Sequence, residues 1–414
     1  MRTRLLLLCF SLIFISNTNA QSLRELFTQS KQAYEHKNYE EFRNLNLQAL
    51  KIHPSQPAFL YNLAVAHALN KEPQAAAKAL KYILSWNATL KFGEDKDLEG
   101  LKASHGLFNK IQAHAEGYRK TVKNSRLLFE LPANFHVEDV VRIGEQVYFT
   151  DIHSGAVGVY NLKEGNFKEI LKLDRSAIAI EKGAEDHIIW ISASMMDQYS
   201  DFDTEKALQS TLLKFDTRQQ KVITKINIPG KSVIGSMIMD AGGTLYATNS
   251  VKPEVLLIDA KEGAVKKTIE IEGAFNLQGI ALDKNRQQLY IADYIKGIAK
   301  LDLKSGSVEW LRSEEYLLKG IDGLYLIKEG SLIAIQNNSN PRRVVQIAFK
   351  GNQVQKVTLL DNALPLDGEP TNGYYDPSYG FIYVANSQWP FYSKENKPLK
   401  EKWEKQQIRV MEEL

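Results

Sequence analysis

The sequence predicts two domains, a small all-helical module followed by a larger all-β domain built from repeated units. In residues 22–118, apolar residues recur at helical spacing and glycine and β-branched residues are scarce. From residue 126 onward, short runs rich in Val, Ile, Tyr and Thr alternate with Gly, Asp and Asn, which is typical of many short strands. A length of 414 residues agrees with more than one hydrophobic core.

The first twenty residues have the order of parts of a secretory signal. Arg2 and Arg4 give a basic start, residues 5–15 form an apolar run, and Thr18 and Ala20 are small side chains of the kind a signal peptidase needs. The apolar run is shorter than the roughly 20 residues of a membrane span. We therefore expect cleavage after Ala20 and a periplasmic or secreted protein without a membrane span; an uncleaved anchor is the alternative.

The composition excludes several classes of function. With 52 basic and 49 acidic residues the net charge is +3, which does not favour nucleic acid or an anionic membrane as a partner. The single cysteine, Cys9, lies in the predicted signal, so the mature chain would have no disulfide and no thiolate. The sequence also contains no Gly-rich phosphate loop and no nucleophile elbow, and no organic cofactor is evident.

Residues 21–120 form the predicted helical module and contain an internal repeat. Residues 33–54 and 66–87 are similar to each other at an offset of about 33 residues. The run 50–64 (LKIHPSQPAFLYNLA) resembles the junction between tetratricopeptide repeats, where one helix ends at a proline and the next presents small residues. The resemblance implies a concave helical surface that docks a protein partner. A plain helical bundle is the alternative.

Residues 126–414 contain six copies of one two-part pattern. The first parts begin at residues 148, 190, 246, 290, 332 and 383, and the second parts begin at 157, 212, 255, 298, 344 and 407. A period of about 42 to 56 residues with room for four short antiparallel strands is that of propeller blades. The predicted fold class is therefore α plus all-β multidomain, with a tetratricopeptide-like module followed by a six-bladed β-propeller.

The sequence also indicates how the ring closes. The last copy ends near Val410 without a fourth strand, whereas the run 126–131 (RLLFEL) has no partner in the first blade. We predict that this run completes blade six and removes the open edges of the ring. Residues 120–125 are a short polar connection before it, and residues 197–209 and 390–405 are insertions that we place on the rim.

Three motifs of the propeller resemble the regucalcin–gluconolactonase family, although such motifs also occur in NHL-repeat propellers. The run 135–151 is similar to the family's first blade, 276–293 to its fourth and 321–324 to its fifth. The resemblance implies a divalent cation, usually calcium, in the central tunnel, with Glu138, Gln278 and Asp322 as its ligands. Carboxylate and amide oxygens suit calcium, but Gln278 stands where the family has asparagine.

Two functions of different classes follow from these observations. In the first, the protein binds a small molecule in the tunnel and a protein partner through the helical module. In the second, implied by the resemblance, it is a metal-dependent lactonase with Asp322 as a catalytic residue. Gly235 and Ser236 stand where lactonases carry an asparagine–aspartate pair, and this difference favours binding.

Three further residues are predicted to bind the ligand. Glu369 precedes the first strand of blade six, and Asn386 and Trp389 belong to a polar and aromatic cluster that could stack a sugar ring. The alternative for the acidic residues is a hydrogen bond to loop amides, and for the cluster it is packing under the adjacent insertion. Residues 197–203 are acidic but lack the glycine and distal glutamate of an EF-hand, so a solvated loop is favoured, and no histidine pair has zinc-site spacing.

Overall fold

A computed structural model describes residues 11–285 and 287–414. Residues 1–10, which carry the basic start, Cys9 and much of the apolar run of the predicted signal, lie outside the described residues. The described chain falls into two compact units, one up to Arg119 together with Glu314–Leu317 and the other Lys120–Ser313 together with Leu318–Leu414. In the described part, no helix combines the length and apolar character that crossing a membrane would require.

In its described residues the first unit contains six α-helices, and its predicted helical character is confirmed. They are α1 Ser11–Glu35, α2 Tyr39–Ile52, α3 Pro57–Leu69, α4 Pro73–Leu84, α5 Glu99–Lys102 and α6 His105–Arg119, with a 3₁₀ turn at Lys96–Leu98 before α5. Pro57 and Pro73 open α3 and α4, where a missing N–H costs nothing. Successive helices from α1 to α4 pack against each other.

Small and apolar side chains fill the core of the helical unit. Ala64 and Ala76 are completely buried beside Leu80 and Leu84, so the helices approach closely. Glu314–Leu317 belong to this unit although they come from much later in the chain: Leu317 is buried in the core, and its N–H donates to Ser85 Oγ at 2.9 Å. The helical module is thus confirmed, while its likeness to tetratricopeptide repeats stays a prediction.

The second unit consists of six antiparallel sheets, the six predicted blades. The strands are, for blade 1, Val137–Ile143, Gln146–Asp151, Ala156–Asn161 and Asn166–Lys172; for blade 2, Ser176–Lys182, Ile188–Ser194, Ser210–Asp216 and Lys221–Asn227; for blade 3, Ile234–Met239, Thr244–Asn249, Glu254–Asp259 and Ala264–Glu270; for blade 4, Leu277–Asp283, Gln288–Asp293, Gly297–Asp302 and Val308–Trp310; for blade 5, Leu324–Lys328, Ser331–Gln336, Arg343–Lys350 and Gln353–Asn362; for blade 6, Gly373–Asp376, Gly380–Val384 and Gln406–Met411. The first strands of successive blades contact one another around the ring, including blade 6 against blade 1.

The closure of the ring is as predicted. Arg126–Leu131 pairs antiparallel with Gln406–Met411 and becomes the fourth strand of blade 6. Its side chains Phe129 and Leu131 are buried in the core between blades 6 and 1. The connection before this strand also forms a strand, which the sequence did not predict. Val122–Lys123 pairs with the end of the last strand of blade 5 as its fifth strand.

Aspartates recur in the sequence where the third strands of blades 2, 3 and 4 end, and the turns that follow these strands explain them. Asp259 Oδ1, at the end of the third strand of blade 3, accepts the N–H groups of Lys261 and Glu262, each at 2.9 Å. Gly263 then has φ +64°, a conformation that glycine adopts without strain. Asp216 and Asp302 make the same two bonds in blades 2 and 4. These aspartates therefore shape the hairpins.

Hydroxyl groups join neighbouring blades at the level of the first strands. Thr150 Oγ1 donates to the carbonyl of Ile178 in blade 2 at 2.6 Å, and Ser192 Oγ donates to that of Ile234 in blade 3 at 2.7 Å. Thr371 Oγ1 makes the corresponding bond from blade 6 to the carbonyl of Glu138 in blade 1, also at 2.7 Å. Buried hydrogen bonds of this kind fix the register of one blade against the next.

The Thr150→Val substitution tests these bonds, because it keeps the shape of the side chain and removes only its hydroxyl. We expect it to lower the free energy of unfolding by about 1–3 kcal/mol, since the carbonyl of Ile178 and the N–H of Asp139 lose a buried partner. Chemical denaturation measures the change. Thr268→Val, on an exposed strand position, is the matched control and should be nearly neutral. Equal effects of the two substitutions would contradict the prediction.

Candidate functional site

The candidate site is a cavity of about 330 Å³ at the beginnings of the first strands, lined by residues of all six blades. Its polar lining consists of Glu138, Ser250, Asn276, Gln278, Tyr294, Asp322, Asn337 and Glu369. Its apolar lining consists of Ile152, Ile178, Met196, Val233, Val251 and Trp389, with Gly235 between them. The structure thus brings together five of the six predicted site residues, and Asn386 is the one that it places elsewhere.

Glu138 is the second residue of the first strand of blade 1 and is only 6% exposed. Its Oε2 accepts a hydrogen bond from the indole Nε1 of Trp389 at 2.6 Å. Within the described residues its other oxygen, Oε1, accepts no hydrogen bond. One oxygen of this buried carboxyl group is therefore held by the protein, and one remains for a ligand.

Asp322 lies just before the first strand of blade 5 and is 9% exposed. Its Oδ2 accepts from Asn337 Nδ2 at 2.8 Å, and Asn337 Oδ1 in turn accepts from the hydroxyl of Tyr294 at 2.9 Å. Oδ1 of Asp322 accepts no bond from the described part of the chain. Sequence reasoning missed Asn337 and Tyr294, which follow the second strands of blades 5 and 4 and whose roles only this contact shows.

Gln278 belongs to a short chain of amide groups in blade 4. Its Nε2 donates to Asn276 Oδ1 at 2.6 Å, and Asn276 Nδ2 donates to the carbonyl of Ser250 at 3.0 Å. These bonds fix the amide so that its Oε1 is the atom left without a donor among the described residues. Asn276 is thus a second cavity residue that the sequence did not single out.

Glu369 is the acidic residue of the cavity that has a cationic neighbour. Arg342 NH2 lies 3.5 Å from its Oε2, while Arg342 NH1 donates to the carbonyls of Asp367 and Gly368 at 2.8 and 2.9 Å. The backbone of Glu369 forms a bridge with Ser387, which holds the segment in place before the first strand of blade 6.

Burial and mutual repulsion keep these acids from ionising in their ordinary range. Burial raises the pKa of Glu138 well above its usual value, and the nearby negative charge of Asp322 adds to the shift. Burial, then the charge of Glu369, raises the pKa of Asp322 to about 7. The pKa of Glu369 is also raised by burial, against the opposing effect of Arg342. The cavity therefore holds protons near neutral pH that a positive charge would displace.

Asn386 has a structural role instead of lining the cavity. It is buried, its Oδ1 accepts the N–H of Gln407 at 2.7 Å, and its Nδ2 donates to the carbonyl of Lys405 at 2.9 Å. It occupies the place in the repeat held by Asp293 in blade 4, whose carboxylate accepts the N–H groups of Phe275 and Asn276. Side chains at this repeated position bind backbone groups of a nearby connecting segment, and Asn386 does so in blade 6.

The aromatic residues Trp389, Tyr392 and Trp403 of blade 6 pack on His136, and Trp389 also lines the cavity. The ring of Trp389 packs edge-on against His136 at a centroid distance of 4.8 Å, and its indole N–H reaches Glu138. Tyr392 and Trp403 pack on the same histidine, and the Tyr392 hydroxyl lies 2.9 Å from His136 Nδ1. Burial lowers the pKa of His136 well below its usual value, so the aromatic rings pack against a neutral imidazole.

The two predicted insertions meet each other on the propeller. Gln198 Nε2 donates to Asn396 Oδ1 at 3.1 Å, and Asn396 Nδ2 donates to Asp197 Oδ2 at 2.9 Å. Asp203 caps the short 3₁₀ helix Thr204–Lys206 through the N–H of Glu205. The acidic residues of the first insertion therefore have local structural partners.

The cavity offers oxygen atoms of the kind that bind calcium. In the ranges 11–285 and 287–414, no three His, Cys, Asp or Glu side chains are arranged to hold a metal ion. One oxygen of Glu138 and one of Asp322 are already used by Trp389 and Asn337. A divalent cation held by Glu138, Gln278 and Asp322 thus stays a prediction, as does a catalytic role for Asp322.

No protein-family model matches the chain, and no curated protein matches it. Solved structures with a similar fold include a nidogen/laminin complex, with 15% identity over 54% of this chain and 80% of that chain at a TM-score of 0.43. The Malassezia sympodialis allergen Mala s 1 has 12% identity, covers 64% and 90%, and gives a TM-score of 0.47. Virginiamycin B lyase from Staphylococcus aureus has 13% identity, covers 63% and 80%, and gives 0.45. At these values the similarities say nothing about function, and the chain is described by its architecture, a helical module followed by a six-bladed β-propeller.

Proposed function

We propose that this is an exported binding protein whose propeller holds a small molecule in the cavity at the start of its first strands. The observation that carries the proposal is the cavity itself, whose lining combines apolar side chains with oxygens that lack donors in the described protein. Its volume of about 330 Å³ is at the lower end of the range for ligand pockets. Export is proposed from the signal-like first twenty residues.

The helical module is proposed to dock a protein partner. Its likeness to tetratricopeptide repeats supports this, and so do apolar side chains that remain exposed on α1 and α2, namely Phe27, Tyr34 and Leu47. Exposed apolar groups on neighbouring helices are the usual contact points of such modules.

The lactonase alternative has one observation in its favour. A carboxyl group whose pKa is about 7, as for Asp322, suits a general base. Against it stands the cavity wall in blade 3, where Gly235 offers no side chain to orient a substrate. Binding is therefore the function we propose, with hydrolysis as the outcome that would replace it.

A cavity-filling variant tests the proposal. Val233→Phe adds a ring at the apolar wall, and we expect it to abolish the stabilisation that cavity ligands give to the wild-type protein. Thermal unfolding is measured for both proteins with a library of small organic compounds, and with calcium, magnesium, manganese or zinc after chelation. A ligand at 100 times its Kd adds about 2.7 kcal/mol. Ile223→Phe, on an exposed strand position, is the control.

Two results would contradict the proposal. In the first, no compound or ion stabilises the wild type more than Val233→Phe, so that the cavity binds nothing. In the second, the protein hydrolyses lactones and Asp322→Asn abolishes the turnover, so that the cavity is an active site.

A further inference from the structure

Among the polar atoms of the cavity, at least three oxygen acceptors have no donor in the described protein. They are Glu138 Oε1, Asp322 Oδ1 and Gln278 Oε1, none of which accepts a bond from the described residues. The donors nearby, the Trp389 indole, the Asn337 amide and the Tyr294 hydroxyl, each already donate within the site. Acceptors that line a cavity favour a ligand that donates to them. A ligand with N–H or O–H groups therefore suits this cavity.

The charged side chains that line the cavity are acidic. Glu138, Asp322 and Glu369 line it, and in the described part of the chain Glu138 and Asp322 have no ion-pair partner. Arg342 lies beside Glu369 through NH2 and donates to two backbone carbonyls through NH1. Ionised carboxylates are stable in such surroundings only beside a positive charge. A ligand that carries a positive charge therefore suits this cavity.

Part of the cavity lining is apolar. Ile152, Ile178 and Val233 form one buried cluster, against which Met196 and Trp389 pack. An indole ring also attracts cations at its face. A calcium ion needs six to eight oxygen ligands, whereas a wall of this kind gives it none. An apolar wall beside donor-seeking oxygens fits a molecule with a cationic head and an apolar body.

We infer that the propeller cavity binds a small organic ammonium ion, whose N–H groups donate to Glu138, Asp322 and Gln278 and whose apolar body packs on Ile178, Val233 and Trp389. The inference rests on the proposed binding function and names its ligand class. The cavity volume admits roughly one aromatic ring with a short chain.

Three probes that share a ring and a two-carbon chain test this inference: 2-phenylethylamine, 2-phenylethanol and phenylacetate. Isothermal titration calorimetry near neutral pH should show that the amine binds at least about tenfold more tightly than the alcohol, and that phenylacetate does not bind. Glu138→Gln and Asp322→Asn should each weaken amine binding about tenfold or more and leave alcohol binding nearly unchanged. Both substitutions keep an acceptor for Trp389 or Asn337, so the fold should persist. Glu145→Gln, an exposed change of equal charge, is the matched control.

A second readout does not depend on variants. The trimethylammonium analogue of 2-phenylethylamine keeps the positive charge but has no N–H group, so it should bind at least about tenfold more weakly than the amine. Alcohol or phenylacetate binding as tight as that of the amine would overturn the inference and leave the binding function intact. Stabilisation by a divalent cation without amine binding would overturn it in favour of a metal site. Failure of all three probes, all cations and the compound library would overturn both.

Discussion

Replacing Asp361 by alanine is expected to destabilise the propeller by about 3–5 kcal/mol, the cost of breaking a buried charged network. Asp361 ends the last strand of blade 5 and is only 2% exposed. Its Oδ1 accepts the N–H groups of Asn124 and Ser125 at 2.7 and 3.2 Å, and its Oδ2 accepts the hydroxyls of Ser125 and Tyr383. One carboxylate thus ties the segment before the closing strand to blades 5 and 6.

The loss extends to Arg409, which is 5% exposed in the last strand of blade 6. Its guanidinium group donates to Ser125 Oγ and to the carbonyl of Ser125, each at 2.8 Å. Ser125 thus links Arg409 to Asp361, and without Asp361 the residue that holds this buried cation loses its own partner. Denaturant unfolding followed by fluorescence measures the effect. Asp186→Ala, which removes an exposed surface ion pair, should be nearly neutral, and an equal cost for both variants would contradict the prediction.

The second large effect is a gain in stability from removing a cavity acid. At about pH 8, Asp322→Asn is expected to raise the free energy of unfolding by about 2–4 kcal/mol, since each unit of pKa shift corresponds to about 1.4 kcal/mol. The pKa of Asp322 is raised by burial and by Glu369 from 3.8 to about 7 in the folded protein. The folded state therefore keeps a proton that the unfolded state releases, and the stability from this group is lost as the pH rises through about 7.

The pH dependence distinguishes this effect from a simple packing change. Near pH 3 the wild type and Asp322→Asn should differ little, because the carboxyl group is then largely protonated in both states, and the difference should grow toward pH 8. Thermal unfolding across this range measures it, with Glu145→Gln as the exposed control. A difference that does not change with pH would contradict the prediction. If the difference does grow with pH, the ionised Asp322 side chain lowers the stability of the fold, and a bound cation would restore that stability.

The period of the sequence predicts much of the site as well as the fold. Glu138, Gln278 and Asp322 lie at or just before the first strands, and in a closed ring such positions converge on one point. The same reasoning could not separate Asn386 from them, because it stands at a repeated position whose hydrogen bonds run to Gln407 and Lys405 and not to the cavity. Periodicity shows that a position recurs, but it does not show which atoms the side chain meets.

Contacts made by irregular segments were beyond prediction. Trp389 reaches Glu138 from the irregular segment between the second and third strands of blade 6, and the two are 251 residues apart. Likewise, the pairing of Val122–Lys123 with blade 5 depends on Asp361, which lies 237 residues from Asn124. No local pattern encodes partners at such distances. Asn337 and Tyr294 were missed for a related reason, since their importance comes only from their contact with Asp322.

The pairing of Arg126–Leu131 with Gln406–Met411 has a consequence for the order of folding. Glu130 and Gln407 are partners in this pair although 277 residues separate them, so the ring forms only when the whole repeat array is present. The entropy of closing so long a loop must be met before this contact contributes, and we expect closure to be a late and slow step. Until then blade 6 has an unpaired edge that can add strands from other molecules. Such a chain depends on completing its ring quickly to avoid aggregation.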